Sequence, residues 1–180
     1  DGSIINVYWW NDKWNVSTKS MAMGEAETPL GHKFSEIFKE VFDLDTIPDL
    51  FKGTTFIFEM VSPKTRVVKP YPKDDIYLLA VREADDGNEY HFDKVKVIAD
   101  ILGVKTPKHF KFESHEQIVS VLSDLDAFDE GFVGAVYGDN LVHRIKFKNP
   151  SHLAIAHLRG EGVLSTKRIA ILVFEQDHEE

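Results

Sequence analysis

Two stretches of the chain each contain a pair of strand-like runs joined by a short polar turn, and this local pairing constrains the fold most. They are "IINVYWWNDKWNVSTK", residues 4–19, and "GFVGAVYGDNLVHRIKFK", residues 131–148, with "NDK" and "GDN" at their turns. Strands joined by so short a turn must run antiparallel. Because strands also outnumber helices along the chain, the pattern predicts the α+β class with mostly antiparallel sheets and flanking helices.

The other elements follow from periodicity and capping signals. Apolar, β-rich runs at 54–61 and 75–83 predict two further strands. Helical spacing of apolar residues or helix-start signals predict helices in 31–45, 93–103, 114–125 and 151–160. Gly103 is a natural stop for the second helix, and Ser114 and Ser151 are N-cap candidates for the last two. The run "KRIAILVFE", residues 167–175, fits a strand or a helix equally well.

Length, composition and net charge limit the classes of protein to which the chain can belong. The chain has 180 residues, which is enough for one domain with a hydrophobic core, and it contains no cysteine. No apolar run is long enough for a membrane helix, and the first residues lack a signal-peptide pattern. We therefore expect a soluble, intracellular, cytoplasmic protein without membrane association. The formal net charge of -9 argues against a simple basic nucleic-acid-binding module.

Several common catalytic signatures are absent from the sequence. It contains no P-loop, no dinucleotide fingerprint, no G-x-S-x-G elbow and no H-E-x-x-H pair. These absences exclude the function classes that depend on such motifs. The sequence does, however, place charged residues at unusual positions in its predicted strands.

Glu59 interrupts the apolar run "FIFEMV". Side chains alternate along a strand, so Phe56 and Phe58 share one face while Glu59 shares the other with Ile57 and Val61. A carboxylate inside a buried strand is costly unless it is paired or hydrogen-bonded. Two interpretations stay open: an edge strand with Glu59 in water, or a site that uses Glu59.

Two further features place charge beside strands near the end of the chain. Glu130 opens "EGFVGAVY", where Gly131 allows close approach of another backbone. In "HRIKFK" the residues Arg144, Lys146 and Lys148 share one face of the predicted strand. Each feature alone fits an ordinary solvated surface. Two separated acids and a K-x-K strand together could form a site for a metal-bound polyphosphate.

Five motifs in order carry a resemblance to a known family. They are "DGS" at the start, "STK" at 17–19, "FIFEMVSPKTRVV" with "IYLLAVRE", "EGFV", and "IKFKNPSHL". Their order and spacing resemble the covalent nucleotidyltransferases and, within them, the ATP-dependent RNA ligases of the phage T4 tRNA-repair type. The resemblance implies the ligase and capping-enzyme catalytic core as the fold.

The resemblance also implies an activity and its cofactors. A lysine would attack ATP to form a covalent adenylate, with Mg²⁺ or Mn²⁺ required, and RNA 3′-hydroxyl and 5′-phosphate ends would then be joined. RNA ends, including those of a cleaved tRNA, are the implied partners, and we expect a monomer.

The best-matched motifs imply specific roles. Glu59 is similar to the acid that contacts the ribose of the adenylate, and Glu130 to the acid that holds the divalent metal. Lys146 and Lys148 are similar to the pair that contacts the α-phosphate, and Lys146 would also orient the leaving pyrophosphate.

Roles at other positions are less specific. Asp1 and Gly2 resemble part of the nucleophile loop, and Lys19 is expected to approach phosphate or ribose. Arg66 and Arg82 fall on family-like positions, where either could instead be a structural ion-pair partner.

The adenine contact departs from the pattern of cellular relatives, which stack an aromatic ring on the base. This chain offers Leu79 or Val81 there, so aliphatic contact with adenine is expected. His152 stands where a tyrosine is common in the family.

The nucleophile itself is not in this sequence. In the K-x-D-G motif the lysine stands two residues before the aspartate, and here that aspartate is residue 1. We expect residues 1–180 to be one adenylyltransferase domain of a longer protein, inactive as given, without the nucleophile, the segment before it or a C-terminal domain.

Three alternatives remain open. A DNA ligase or capping-type core would carry similar motifs, although "FEMVSPKTRVV" favours the RNA ligases. A non-catalytic nucleotide- or RNA-binding module could keep the fold, although it would not need Glu130 and both lysines. The simplest alternative is a soluble α+β domain whose charges are merely solvated.

Overall fold

The structure is a computed structural model that describes residues 2–28, 30–66, 68–138 and 142–159. Its strands and helices, in chain order, are β1 Ser3–Trp10, β2 Lys13–Thr18, α1 Phe34–Val41, β3 Thr54–Val61, β4 Asp75–Glu83, α2 Phe92–Leu102, α3 His115–Ser123, β5 Gly131–Tyr137, β6 Val142–Lys148 and α4 Pro150–Arg159. Every predicted strand and helix up to residue 159 is present, while the run at 167–175 lies outside the described residues.

The first hairpin has a two-residue turn. Asn11 and Asp12 both adopt positive φ angles, 53° and 57°, and Trp10 already pairs with Lys13 across the turn. Two consecutive residues with positive φ are typical of the primed turns whose twist matches that of antiparallel strands. Asn and Asp tolerate this backbone region better than other non-glycine residues, so the local sequence determines the register of β1 and β2.

The main sheet has four antiparallel strands in the order β2-β1-β3-β4. One face is apolar and packs against α1 and α2, with side chains such as Phe38, Phe56, Phe58 and Val95 at most 1% exposed. Burial of these rings supplies most of the stabilisation, at roughly 1.5–3 kcal/mol for each large side chain removed from water. Glu59 is half-buried and points from the opposite face, as the alternation predicts.

A bulge changes the alternation in β4. Ile57 pairs with Ala80 but Phe58 pairs with Leu78, so Leu79 is an extra residue on β4. The insertion puts Val81 on the core face, where it is fully buried. Val81 is therefore not on the same face as Glu59, and its contact with adenine is a prediction that this placement does not favour. Leu79 is half-buried at the bulge, and its contact with adenine stays a prediction.

The second sheet consists of β5 and β6, which pair antiparallel from Gly131–Lys148 to Tyr137–Val142. Gly131 has a φ of 128°, and a Cβ added there would overlap the carbonyl oxygen of Phe147. Only glycine fits this position without strain. The close backbone approach predicted at Gly131 is confirmed.

The N-cap of helix α4 lies two residues before the predicted cap, Ser151. The backbone N–H of Ser151 donates to the side-chain oxygen of Asn149 (3.0 Å), and that of Leu153 donates to the Asn149 carbonyl (3.0 Å). Asn149 is thus the N-cap, and Pro150 occupies the first helical position, where its missing N–H costs nothing. The Ser114 cap of α3 is confirmed by its bond from the Gln117 N–H.

None of the helices in the described part of the chain combines the length and the apolar character needed to cross a membrane.

Candidate functional site

The two lysines of β6 and the acid that precedes β5 meet in one cluster. Lys148 Nζ lies 3.3 Å and Lys146 Nζ 3.9 Å from Oε1 of Glu130. Burial raises the pKa of the Glu130 carboxyl, but the hydrogen bond from Lys148 is the largest of several opposing effects, which include both lysine charges, and the pKa lies below its usual range. The carboxylate is therefore ionised at neutral pH, and both ammonium groups stay solvent-accessible.

Local structure explains why these three residues meet. Gly131 pairs with Lys148 and Val133 with Lys146 across the hairpin, so the start of β5 lies beside the end of β6. Asn149 fastens the loop before β5, because its backbone N–H donates to the Glu130 carbonyl (2.8 Å). Its buried side-chain amide also donates to the carbonyls of Asp126 (2.9 Å) and Asp129 (3.1 Å).

Glu59 and Gly2 lie together at one end of the main sheet. A Cβ at Gly2 would lie 2.6 Å from the Met60 carbonyl oxygen and 2.8 Å from Cγ of Glu59. Glu59 pairs with Ile4 on one side and Tyr77 on the other. The absence of a side chain at residue 2 therefore lets the backbone of Gly2 lie directly against the side chain of Glu59.

Tyr71 lies near both acids, Glu59 and Glu130, and the sequence analysis did not identify it. Burial raises the pKa of the Tyr71 phenol to about 12, with further contributions from the charge of Glu59, from Tyr77 and from the charges of Asp129 and Glu130. The half-buried ring thus lies within electrostatic reach of Glu59 on the main sheet and of Glu130 beside the second sheet. The run "KPYPKDD" carries no pattern that would have singled it out.

Lys19 lies just after the last residue of β2, at the end of the main sheet where Glu59 is found. It directly follows Thr18, which pairs with Ile5, and the adjacent Ile4 pairs with Glu59. Its side chain is exposed. The structure therefore puts Lys19 near this end of the sheet without a contact that assigns its role.

The two predicted arginines lie in different surroundings. Arg66 is exposed, and its Nε donates to the carbonyl of Val68 (3.2 Å). Arg82 donates through Nε and Nη2 to the carboxylate of Glu89, both at 3.1 Å. Of the two roles left open for Arg82, the structure supports that of a structural ion-pair partner. Asp1 lies outside the described residues.

His152 lies in α4 close to the cluster and is 4% exposed. Burial lowers the pKa of its imidazole, whereas the nearby Glu130 charge acts in the opposite direction. The side chain is therefore neutral at neutral pH and buried.

The donor set around Glu130 suits only one kind of metal site. Among the described residues there is no group of three or more His, Asp or Glu that could hold a metal ion alone. Mg²⁺ shared with nucleotide phosphates needs only one or two protein carboxylates, because phosphate oxygens and water complete its shell. Glu130, ionised and half-buried, fits that arrangement.

Comparison with known proteins points to one family. The family model described as RNA ligase matches residues 1–152. A protein of Autographa californica nuclear polyhedrosis virus, whose name describes a bifunctional polynucleotide kinase/RNA ligase, is 25% identical over 190 residues. That alignment covers 100% of this chain and 26% of the viral protein, so the chain spans about a quarter of that relative.

Solved structures show the same fold. An archaeal ATP-dependent RNA ligase superposes with a TM-score of 0.68 and 15% identity, over 100% of this chain and 50% of that one. A variant of a Naegleria gruberi RNA ligase with ATP and Mn superposes with a TM-score of 0.51 and 16% identity, over 67% of this chain and 38% of that one. These likenesses identify the fold as the nucleotidyltransferase core of ligases.

The order of motifs, the two-sheet architecture and the family match agree along most of the sequence. The match extends over residues 1–152 of 180, from before the first strand, β1, to the first turn of α4, the helix that follows the K-x-K strand. The chain belongs to the RNA ligase family.

Proposed function

We propose that residues 1–180 form a single adenylyltransferase domain of an ATP-dependent RNA ligase that joins RNA 3′-hydroxyl and 5′-phosphate ends. The observation that carries the proposal is the cluster in which Lys146 and Lys148 of β6 meet the ionised Glu130. A solvated surface strand has no need of an acid at this position, whereas a phosphate-binding site uses both signs of charge.

The reaction would proceed by three in-line displacements. A lysine amine, expected two residues before Asp1, bonds to the α-phosphorus of ATP and loses a proton, while the bond to pyrophosphate breaks. An oxygen of the RNA 5′-phosphate then attacks the same phosphorus and releases the lysine. Finally the RNA 3′-hydroxyl attacks the phosphorus of the 5′-phosphate, and AMP leaves.

The residues of this chain would position and stabilise the phosphates. Lys146 and Lys148 would contact oxygens of the α-phosphate, where negative charge builds up during each displacement. Glu59 would accept hydrogen bonds from the ribose, with the backbone of Gly2 packed closely against its side chain. Leu79, at the bulge of β4, would contact adenine.

Glu130 would hold the divalent cation, Mg²⁺ or Mn²⁺. When bound, this cation neutralises charge on the phosphate oxygens and favours departure of pyrophosphate. The lowered pKa of Glu130 supports the proposal, since a carboxyl group must be ionised to bind a cation.

The substrate and setting follow from the resemblance. We propose broken RNA as the substrate, with a cleaved tRNA as the first to test, and a monomeric protein in the cytoplasm, that of the host if the source is viral.

The test is covalent labelling of the parent protein that contains the lysine two residues before Asp1. Incubation with Mg²⁺ and α-labelled ATP should leave label on the denatured polypeptide, and replacement of that lysine by methionine should remove it. A folded parent protein that binds ATP but retains no label would support the second candidate, a nucleotide- or RNA-binding module without catalysis.

Lys148→Ala should reduce the rate of label transfer by about 10²-fold, because one charged donor to the phosphate is lost. Lys146→Ala should have a comparable effect on adenylation and a larger one on pyrophosphate-dependent reversal. Lys111→Ala, an exposed lysine on the segment before α3, is the control and should leave the rate unchanged. A wild-type rate in Lys148→Ala would contradict the phosphate contact and would indicate that "HRIKFK" is a strand with an ordinary solvated face.

A further inference from the structure

A buried carboxylate outside the nucleotide site joins the two sheets. The side chain of Glu89 is 4% exposed, although it lies in the connection between β4 and α2. It accepts hydrogen bonds from two arginines, Arg82 and Arg144. A buried carboxylate is costly unless it is paired, and the two guanidinium groups, which are partly exposed, compensate for the burial of Glu89.

The two arginines come from different sheets. Arg82 lies on β4 of the main sheet, and its backbone forms an isolated antiparallel β-bridge with that of Glu89. Arg144 lies on β6 and binds Glu89 through both Nη1 (3.0 Å to Oε2) and Nη2 (to Oε1). The hydrogen bond from Arg144 to Glu89 raises the pKa of the guanidinium, which is consistent with a tight pair. In the part of the chain that the structure describes, Arg144 is the residue that joins the second sheet to Glu89.

Arg144 belongs to the same face of β6 as the site lysines. Arg144 pairs with Ala135, Lys146 with Val133 and Lys148 with Gly131. A displacement of Arg144 along or away from the strand axis would carry Lys146 and Lys148 with it. Near Arg144 a second contact supports the same junction, since the rings of His91 and Tyr137 lie 4.4 Å apart.

We propose that Glu89 and Arg144 are positioning residues, which set where Lys146 and Lys148 stand relative to the main sheet that carries Glu59. The inference rests on the proposed adenylyl transfer, and it adds two residues that would act through the placement of the lysines. A bidentate guanidinium–carboxylate pair has a fixed planar geometry, which makes it suited to holding two elements in register.

The physical reason lies in the sensitivity of in-line displacement to distance. A shift of about 1 Å in a phosphate-contacting group can cost about 10²-fold in rate, even when the change is remote from the chemistry. A two-stranded sheet is only marginally stable by itself, so its position depends on contacts such as this ion pair to the main sheet.

The experiment compares Arg144→Ala with Arg82→Ala in the parent protein. Both variants remove one guanidinium from the same carboxylate, but only the first releases β6. Arg144→Ala should lower kcat for adenylation by about 10²-fold with a much smaller change in KM for ATP, because the lysines act on the developing charge. Arg82→Ala should keep kcat close to that of the wild type.

Two more variants distinguish a loss of positioning from a loss of folding. Arg144→Lys keeps the charge but makes only a single contact, so its kcat should lie between those of the wild type and Arg144→Ala. The double variant Glu89→Gln/Arg144→Ala should be no slower than Arg144→Ala alone, because the two residues act as one unit. Hydrogen exchange should show faster exchange in β5 and β6 for Arg144→Ala, with β1–β4 protected as in the wild type.

The outcomes separate this inference from the proposed function. Equal kcat losses in Arg82→Ala and Arg144→Ala, or a wild-type kcat in Arg144→Ala, would overturn the positioning role. A wild-type parent protein that takes up no label would overturn the adenylyl transfer itself, while the exchange measurement would still show whether Arg144 holds the second sheet.

Discussion

Glu130→Gln should reduce adenylation of the parent protein by at least about 10²-fold while leaving the protein folded. The amide keeps the shape of the side chain but removes the negative charge that would hold the divalent cation. Its stability cost should be small, because the ion pairs with Lys146 and Lys148 are partly exposed, with 30% of the Glu130 side chain accessible. Such pairs contribute about 1 kcal/mol or less.

The measurement is the initial rate of label transfer at saturating ATP, together with the melting temperature. Glu40→Gln is a matched control, since Glu40 is an exposed acid whose Oε2 lies 2.7 Å from Nζ of Lys64. It should lose a similar ion pair without any change in rate. If Glu130→Gln adenylates as fast as the wild type at every Mg²⁺ concentration, Glu130 does not bind the metal.

Gly131→Ala should be the most destabilising single substitution in the second sheet. Its φ of 128° is strained for any L-residue, and the added methyl group would overlap the carbonyl oxygen of Phe147. Strain and overlap together should cost about 3 kcal/mol or more of the free energy of unfolding. Since Gly131 pairs with Lys148, we also expect adenylation to fall sharply.

Gly134→Ala tests whether the effect belongs to the position or to any glycine of β5. Its added Cβ would lie 3.0 Å from the ring edge of Phe147, a side chain that can move, and 3.8 Å from the Ile145 carbonyl oxygen. Its cost should be about 1 kcal/mol. Urea unfolding of both variants gives the comparison, and equal midpoints would contradict the special role of Gly131.

Local chemistry made part of this structure predictable from the sequence. Asn11 and Asp12 suit a primed turn, and this is enough to define the first hairpin. The period of two along β3 predicted that Phe56 and Phe58 share one face, which the structure shows to be the core face, and that Glu59 lies on the other. Such features depend on neighbours in the chain, so no distant contact was needed to predict them.

The candidate site was predictable only in outline. The K-x-K spacing indicated a cationic face on β6, and the structure brings Glu130 to it at 3.3 Å from Lys148. The same reasoning did not find Tyr71, whose significance comes from its position near both Glu59 and Glu130. Nor could it choose a partner for Arg144, because Glu89 is 55 residues away in sequence.

What the sequence by itself determined is therefore the set of strands and helices, the pairing within each hairpin and the types of side chain offered to a phosphate. Only the tertiary structure decided that a bulge at Leu79 sends Val81 into the core, and that Glu89 joins the two sheets. The reason is physical: turns and alternation are properties of consecutive residues. Bulge positions and buried ion pairs depend on how separate elements pack, where the cost of an unpaired charge or an unfilled space selects one arrangement.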